Sequence, residues 1–374
     1  MHIDKYEKTV FEWKFSPMAN YICPSYKVTK NESNSPRGLA LLLSLVQGKQ
    51  QRKLEPVIAE RMYQCSSCYL CTSHGYDDTD PASLYIAARA DLAEAGLAPE
   101  AVQRHRDHLV SKPGPVELNR GQANATVGLV IDPHISAVFP KELAANMELL
   151  DRAGVGFTVL GADAGCGAQL FELGFLSEAR ERAAAVVKQA ASLKTMVFLS
   201  PYDFKLFTGW SKDLGVELPS AVEKVPLPAY LLRLAKEGKV RAGGAGPGKK
   251  GQKAAVSYLD AAHFARPQPS FEGIAELLSD IPGIELKPLW KAGRLAPPDS
   301  GDFLSNTYPE IAAGIDARLL ESVQETGGQT VLVSCLYTLA NLRRAAGHAA
   351  AGTGSAGTGS PSIQDLGTFI LGCL

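Results

Sequence analysis

Residues 65–71 read Cys-Ser-Ser-Cys-Tyr-Leu-Cys, and no other stretch constrains the chain as tightly. Thiols at C-x2-C-x2-C spacing open a bacterial-type iron–sulfur motif, which normally continues x3-C-P. The position of the fourth cysteine is Gly75 here. A lone Cys-Pro stands upstream, at Cys23-Pro24. Where two such motifs occur, the fourth cysteine of each ligates the other motif's cluster. If Cys23 is a fourth position, its first three partners would be residues 13, 16 and 19, which are Trp13, Ser16 and Ala19. One motif has lost three ligands and kept the fourth, and the other has done the reverse. This predicts one [4Fe–4S] cluster on Cys23, Cys65, Cys68 and Cys71, with the second ligand set deleted. Two plainer readings compete. Structural zinc usually takes two separated ligand pairs, and His74 could complete such a site only with cramped spacing. Free thiols of a cytosolic protein are the other.

The 374 residues suffice for two or three domains and a sizeable core. A hydrophobic content of 45%, a charged content of 21% and a net charge of −1 are ordinary for a globular protein. No basic stripe points to nucleic acid. The first residues lack a signal-peptide core, and the apolar runs near Leu39–Val46 and Val331–Leu342 are too short to span a bilayer. Seven cysteines suit a reducing cytoplasm and metal binding better than disulfides. Membrane association would then require a partner.

Residues 1–12 read as a polar lead-in. Helices are expected at Leu39–Val46, Glu55–Tyr63, from Asp80-Pro81 to Gly96, and from Pro99 to about Leu109. Lys112–Ala125 reads as a linker. Beyond it, short apolar strands alternate with amphipathic helices, the pattern of a parallel sheet. Strands are expected at Thr126–Ile131, Phe157–Leu160 and Met196–Leu199, then again at Ala254–Leu259, Ile284–Leu289 and Val331–Val333. Helices fall at Lys141–Ala153, Leu176–Leu193, Pro228–Lys236, Phe271–Leu278 and Pro309–Thr326. Asp132-Pro133-His134 and Asp260-Ala261-Ala262-His263 follow the first strand of each series. Thr195–Ser200 with Pro201-Tyr202-Asp203 echoes Thr330–Ser334 with Cys335-Leu336-Tyr337-Thr338. The chain thus reads as an internal duplication, a form that often places a site between its halves. Ala242–Lys250 and Ala349–Ser362 read as flexible, low-complexity inserts. The apolar tail Ile363–Leu374 is expected to pack back. The fold class is α+β multidomain: a helical part at 1–120, then α/β units at 121–243 and 252–374.

In this order of parts the chain resembles the heterodisulfide reductase-like iron–sulfur proteins, including the glycolate oxidase and anaerobic glycerol-3-phosphate dehydrogenase iron–sulfur subunits. The resemblance rests on Cys23-Pro24 followed by Ser35-Pro36-Arg37-Gly38, on Gly165-Cys166-Gly167 before Leu173-Gly174, and on Asp260-Ala261-Ala262-His263-Phe264-Ala265-Arg266. It implies an all-helical ferredoxin-like domain followed by two cysteine-rich CCG units. It also implies a flavin-containing dehydrogenase or a sister iron–sulfur subunit as partner. The family's CCG cysteines are largely replaced: Gly165, Ser200, Asp203, Ala262 and Thr338 stand at their places, and Leu295–Phe303 carries none. Cys166 and Cys335, left alone, cannot hold a cluster that needs several converging thiolates. They read as buried small hydrophobes, and Cys373 as incidental. His134 and His263 could bind a small ligand or a metal, but a hydrogen-bonded structural histidine is the commoner case. The Gly-rich stretch Gly243–Gly251 lacks the strand and helix of a nucleotide loop.

These features favour an electron-transfer subunit of a multisubunit oxidoreductase, with no catalytic residue of its own. The alternatives are a non-catalytic scaffold stapled by its cluster and a stand-alone enzyme working between the α/β halves.

Overall fold

The computed structural model describes residues 1–47, 53–75, 79–113, 125–241, 253–266, 273–347 and 361–374. Residues 242–250 and 349–360 and most of the linker named above fall outside these residues, while Ser362, read as the end of the second insert, opens a strand. Up to residue 113 the described chain is helical. A 3-10 turn at His2–Tyr6 leads into α1 (Glu7–Trp13). The expected polar lead-in is therefore a folded element, with Ile3 and Val10 buried and α1 packed on the third and sixth helices. Its alternation of charge and hydrophobe is that of a half-buried helix. Next come α2 (Pro24–Thr29), α3 (Pro36–Gln47), α4 (Pro56–Met62) and α5 (Leu70–His74). The central helix, α6 (Pro81–Glu94), starts on Asp80, whose carboxylate accepts the Ser83 N–H at 3.1 Å. Leu84, Tyr85, Ala88, Arg89 and Leu92 are all buried, so α6 is enclosed around its circumference. Finally α7 (Glu100–Val110) runs to the linker.

The rest holds two four-stranded parallel sheets. The first has order β2-β1-β3-β4, from β1 (Val127–Val130), β2 (Phe157–Leu160), β3 (Thr195–Phe198) and β4 (Glu223–Pro226). Its helices are α8 (Pro133–Val138), α9 (Pro140–Arg152), α10 (Ala168–Glu172), α11 (Leu176–Gln189), α12 (Pro201–Lys205), α13 (Ser211–Leu214) and α14 (Leu227–Lys236). The second repeats the order as β6-β5-β7-β8, from β5 (Ala254–Leu259), β6 (Ile284–Leu286), β7 (Thr330–Val333) and β8 (Ser362–Asp365). Its helices are α15 (Ala262–Ala265), α16 (Ile274–Ser279), α17 (Gly301–Thr307), α18 (Pro309–Gln324), α19 (Leu336–Ala345) and α20 (Leu366–Cys373).

The halves exchange helices. The last helix of each unit packs on the second of the two helices between the other unit's first and second strands: α14 on α16, and α20 on α9. At the second contact, Asn146 donates to Asp365 at 2.9 Å and Arg343 pairs with Glu142 at 3.0 Å. Val127 pairs with Thr195 as Val256 pairs with Thr330, so the two sheets share one register. That register aligns Tyr202 with Tyr337, each the second residue of the helix after the third strand. Their rings meet edge to face at 5.5 Å. Both lie where strand order reverses between the first and third strands, the usual ligand crevice of such sheets.

Candidate metal centre

Four thiols face one small cavity. Cys23 caps the N-terminus of α2 with extended backbone, ahead of Pro24. Cys65 follows α4, Cys68 lies in the loop and Cys71 is in the first turn of α5. Between them, Ser67 (φ 49°) and Tyr69 (φ 59°) are left-handed, a conformation side-chain-bearing residues adopt at a cost. These reversals bring Cys65, Cys68 and Cys71 around the same space as Cys23. Pro24, Pro36, Leu39, Ala82 and Tyr85 complete its wall. Gln64 fastens the two segments together. Its carbonyl accepts from the Ser25 hydroxyl at 2.8 Å, and its side-chain oxygen accepts from Asn34 at 2.6 Å. The Cys23 thiol in turn approaches the Asn34 carbonyl at 3.7 Å.

Two buried arginines brace the thiol loop. Arg89 of α6 donates to the carbonyls of Met62 and Cys65 and to the Ser67 hydroxyl. Arg266, at the end of α15, donates to the Cys68 carbonyl at 3.0 Å and to Ala296 at 2.8 Å. The second α/β unit thus reaches the thiol loop directly.

Burial dominates the electrostatics of these thiols. Burial pushes the Cys65 thiol up to about 11, against the pull of Arg89. Burial, then repulsion from Cys65, raises Cys23. Burial, then the neighbouring thiols, raises Cys71. Four thiolates cannot share this space unless positive charge sits among them. Four thiols are a donor set that both structural zinc and iron–sulfur clusters take. Elsewhere among the described residues, His2, Asp91 and Glu94 bring their ligand atoms within 4.8 Å of one another.

A second cavity lies beside the first. Trp13, Ser16, Ala19 and Gly75, the positions of the missing ligand set, line one open cavity of ≈ 520 Å³. The Trp13 ring, bonded through its N–H to Thr79 at 2.8 Å, stands 3.4 Å from where a Cβ on Gly75 would lie. His74 also lines this cavity rather than the thiol cavity, and its ring meets the Leu70 carbonyl at 3.0 Å.

The other candidates fall in the α/β halves. Cys166 is buried against Asp203, and burial raises both groups. Asp132 accepts from Tyr337 at 2.7 Å and from Gln169. Among the described residues, Ser200 Oγ and Asp203 Oδ2 meet no hydrogen-bond partner. Cys335 is buried, and burial followed by the Asp299 charge pushes its thiol up to about 12. Cys373 is buried in α20. His134 Nε2 meets the Leu109 carbonyl at 3.0 Å. His263 is fully buried among Tyr69, Tyr202 and Trp210. Arg89, Gln64 and Asn34 escaped sequence reading. Arg89 left one trace, a basic residue amid the apolar run of α6.

No family model matches the chain. Over 305 residues it is 22% identical to a subunit of the dihydromethanophenazine:CoB–CoM heterodisulfide reductase of Methanosarcina acetivorans, covering 75% of this chain and 72% of that one. In structure it is similar to a hypothetical protein from Helicobacter pylori, with TM-score 0.56, 10% identity, and coverage of 100% of this chain and 76% of that one. The second likeness shows a shared fold alone. Among the described residues, no helix is long and apolar enough to cross a membrane.

Proposed function

We propose that the chain is an iron–sulfur electron-transfer subunit of a larger, heterodisulfide reductase-like oxidoreductase. In this reading Cys23, Cys65, Cys68 and Cys71 hold one [4Fe–4S] cluster in a ferredoxin-like domain, residues 1–120. The observation that carries it is the pairing of cavities. The four retained thiols line one, and the four substituted positions line its neighbour. Crossed ligation requires this division, and neither zinc nor unliganded thiols would require it. The distant likeness to a reductase subunit supports the same class.

Bound there, the cluster passes one electron at a time. The chain supplies its thiolates, shields it with Pro36, Leu39 and Tyr85, and places the buried charges of Arg89 and Arg266 beside it. The CCG-like α/β units, residues 121–243 and 252–374, then serve as a body that braces the centre and docks a flavin-containing or iron–sulfur partner. Anaerobic purification with iron analysis and electron paramagnetic resonance tests this. About four irons per chain and one cubane signal are expected. Twice that iron, or zinc in its place, would refute it.

A further inference from the structure

Cations gather on and around α2, the helix that Cys23 caps. Lys27 sits on α2, one turn beyond Cys23. Helix α18 packs along α2 so closely that a Cβ on Gly314 would fall 2.6 Å from Val28. Arg318 lies one turn further on the same face of α18, near enough for its charge to act on Lys27. Lys291 completes the group from the loop after β6, and Lys30 from the end of α2. Burial, then the charges of Lys291 and Arg318, lower the proton affinity of Lys27. None of these four cations forms an ion pair with a described carboxylate. Trp290, next to Lys291 in the chain, is 94% exposed, with the Lys291 ammonium 5.5 Å from its ring. The whole chain carries a net charge of −1, so this positive concentration is local.

Unpaired like charges around an exposed tryptophan cost the free protein stability and are relieved by an opposing acidic surface. Tryptophan is also the residue type most often found at an interface anchor. We propose that Lys27, Lys30, Lys291 and Arg318, with Trp290 as anchor, form the docking surface for an acidic electron-carrier protein that exchanges electrons with the centre through the Cys23 side. This rests on the electron-transfer reading above. Cys23 is the ligand whose helix carries the patch, and its charge acts on Lys27.

The test uses the full chain, purified anaerobically, with flavodoxin hydroquinone as acidic electron donor in stopped flow. One electron passes from the hydroquinone to the centre, leaving the semiquinone. The wild-type second-order rate should fall steeply as salt rises, and a Lys27→Glu, Lys291→Glu, Arg318→Glu variant should be about tenfold slower or worse at low salt and insensitive to it. Lys291→Glu alone, at an exposed position, should give a several-fold loss in the same direction. Trp290→Ala should slow transfer without altering its salt dependence. Iron content and reduction by dithionite are measured first on every protein. Absence of iron would overturn the electron-transfer reading itself. An intact, dithionite-reducible centre that ignores flavodoxin, or reacts with it equally in all variants, would overturn the docking surface alone.

Discussion

Arg266 starts in the second α/β unit and ends on a carbonyl of the thiol loop. Its guanidinium is buried, and the charges of Cys68 and Asp299 bear on it most after burial. A buried cation beside a cluster stabilises the reduced, more negative state. Arg266→Gln should therefore lower the reduction potential in an anaerobic redox titration, while iron content stays near four per chain. An unchanged potential would reduce Arg266 to a tether. Gly174 works by fit rather than by charge. Its φ is +90°, and a Cβ there would fall 2.4–2.5 Å from the backbone of Arg89 and Ala90. This is where the first α/β unit meets α6, and Tyr63 bonds the neighbouring Leu173 carbonyl at 2.9 Å. Gly174→Ala should cost about 3 kcal/mol from conformational strain and steric overlap together. Urea denaturation measures it, and a loss within about 0.5 kcal/mol would mean that α6 simply moves aside.

At the scale of elements, α6 joins the thiol centre to its surroundings. Its cap, Asp80, accepts from the Thr72 hydroxyl at 2.8 Å and the Ser83 hydroxyl at 2.6 Å, besides the Ser83 N–H. Asp80→Ala removes a helix cap and a tie to α5 at once. It should destabilise the fold by about 1–2 kcal/mol, with Asp80→Asn recovering most of the loss. Equal losses in both variants would show that the carboxylate charge, rather than capping, is what matters. This cap was legible in the sequence because Asp-Pro before an apolar run specifies a helix start locally. The strands Phe157–Leu160 and Ala254–Leu259 were equally legible, being short apolar runs. β4 and β8 were not: Glu-Lys-Val-Pro and Ser-Ile-Gln-Asp are edge strands with too few hydrophobes to stand out. α1 was missed because its buried positions alternate with lysine and glutamate. The run Cys65, Cys68 and Cys71 stands out because its spacing is local, whereas Cys23 enters only through the crossed-ligation rule. Arg89 and Arg266 could not be, because their value lies in contacts 24 and 198 residues away along the chain.

At the scale of the whole molecule, the duplicated halves bury acidic groups between and behind their sheets. Asp132, Asp203, Asp302, Asp316 and Asp365 are each under 9% exposed. Asp316 is the cleanest to follow. Its two oxygens accept the N–H and O–H of Ser300, both at 2.8 Å, which fixes the start of α17 to α18. Burial, and then the Asp299 charge, push its carboxyl up to about 7 from an ordinary 3.8, despite those bonds. Folded Asp316 keeps its proton up to about pH 7, whereas the unfolded chain releases it near 3.8. Folding thus takes up a proton in that window, and the stability Asp316 confers is full below about pH 4 and lost as the pH rises through about 7. Asp316→Asn removes the titration and leaves an oxygen to accept the Ser300 N–H. Urea denaturation at intervals from about pH 4.5 to 7.5 should show wild type losing stability relative to Asp316→Asn as the pH rises. Parallel profiles would place the Asp316 proton outside that range. The cost of keeping such acids buried falls on the α/β halves, while the thiol centre they brace lies in the helical part. That separation predicts that pH weakens the body of the molecule before it disturbs the loop of Cys65, Cys68 and Cys71.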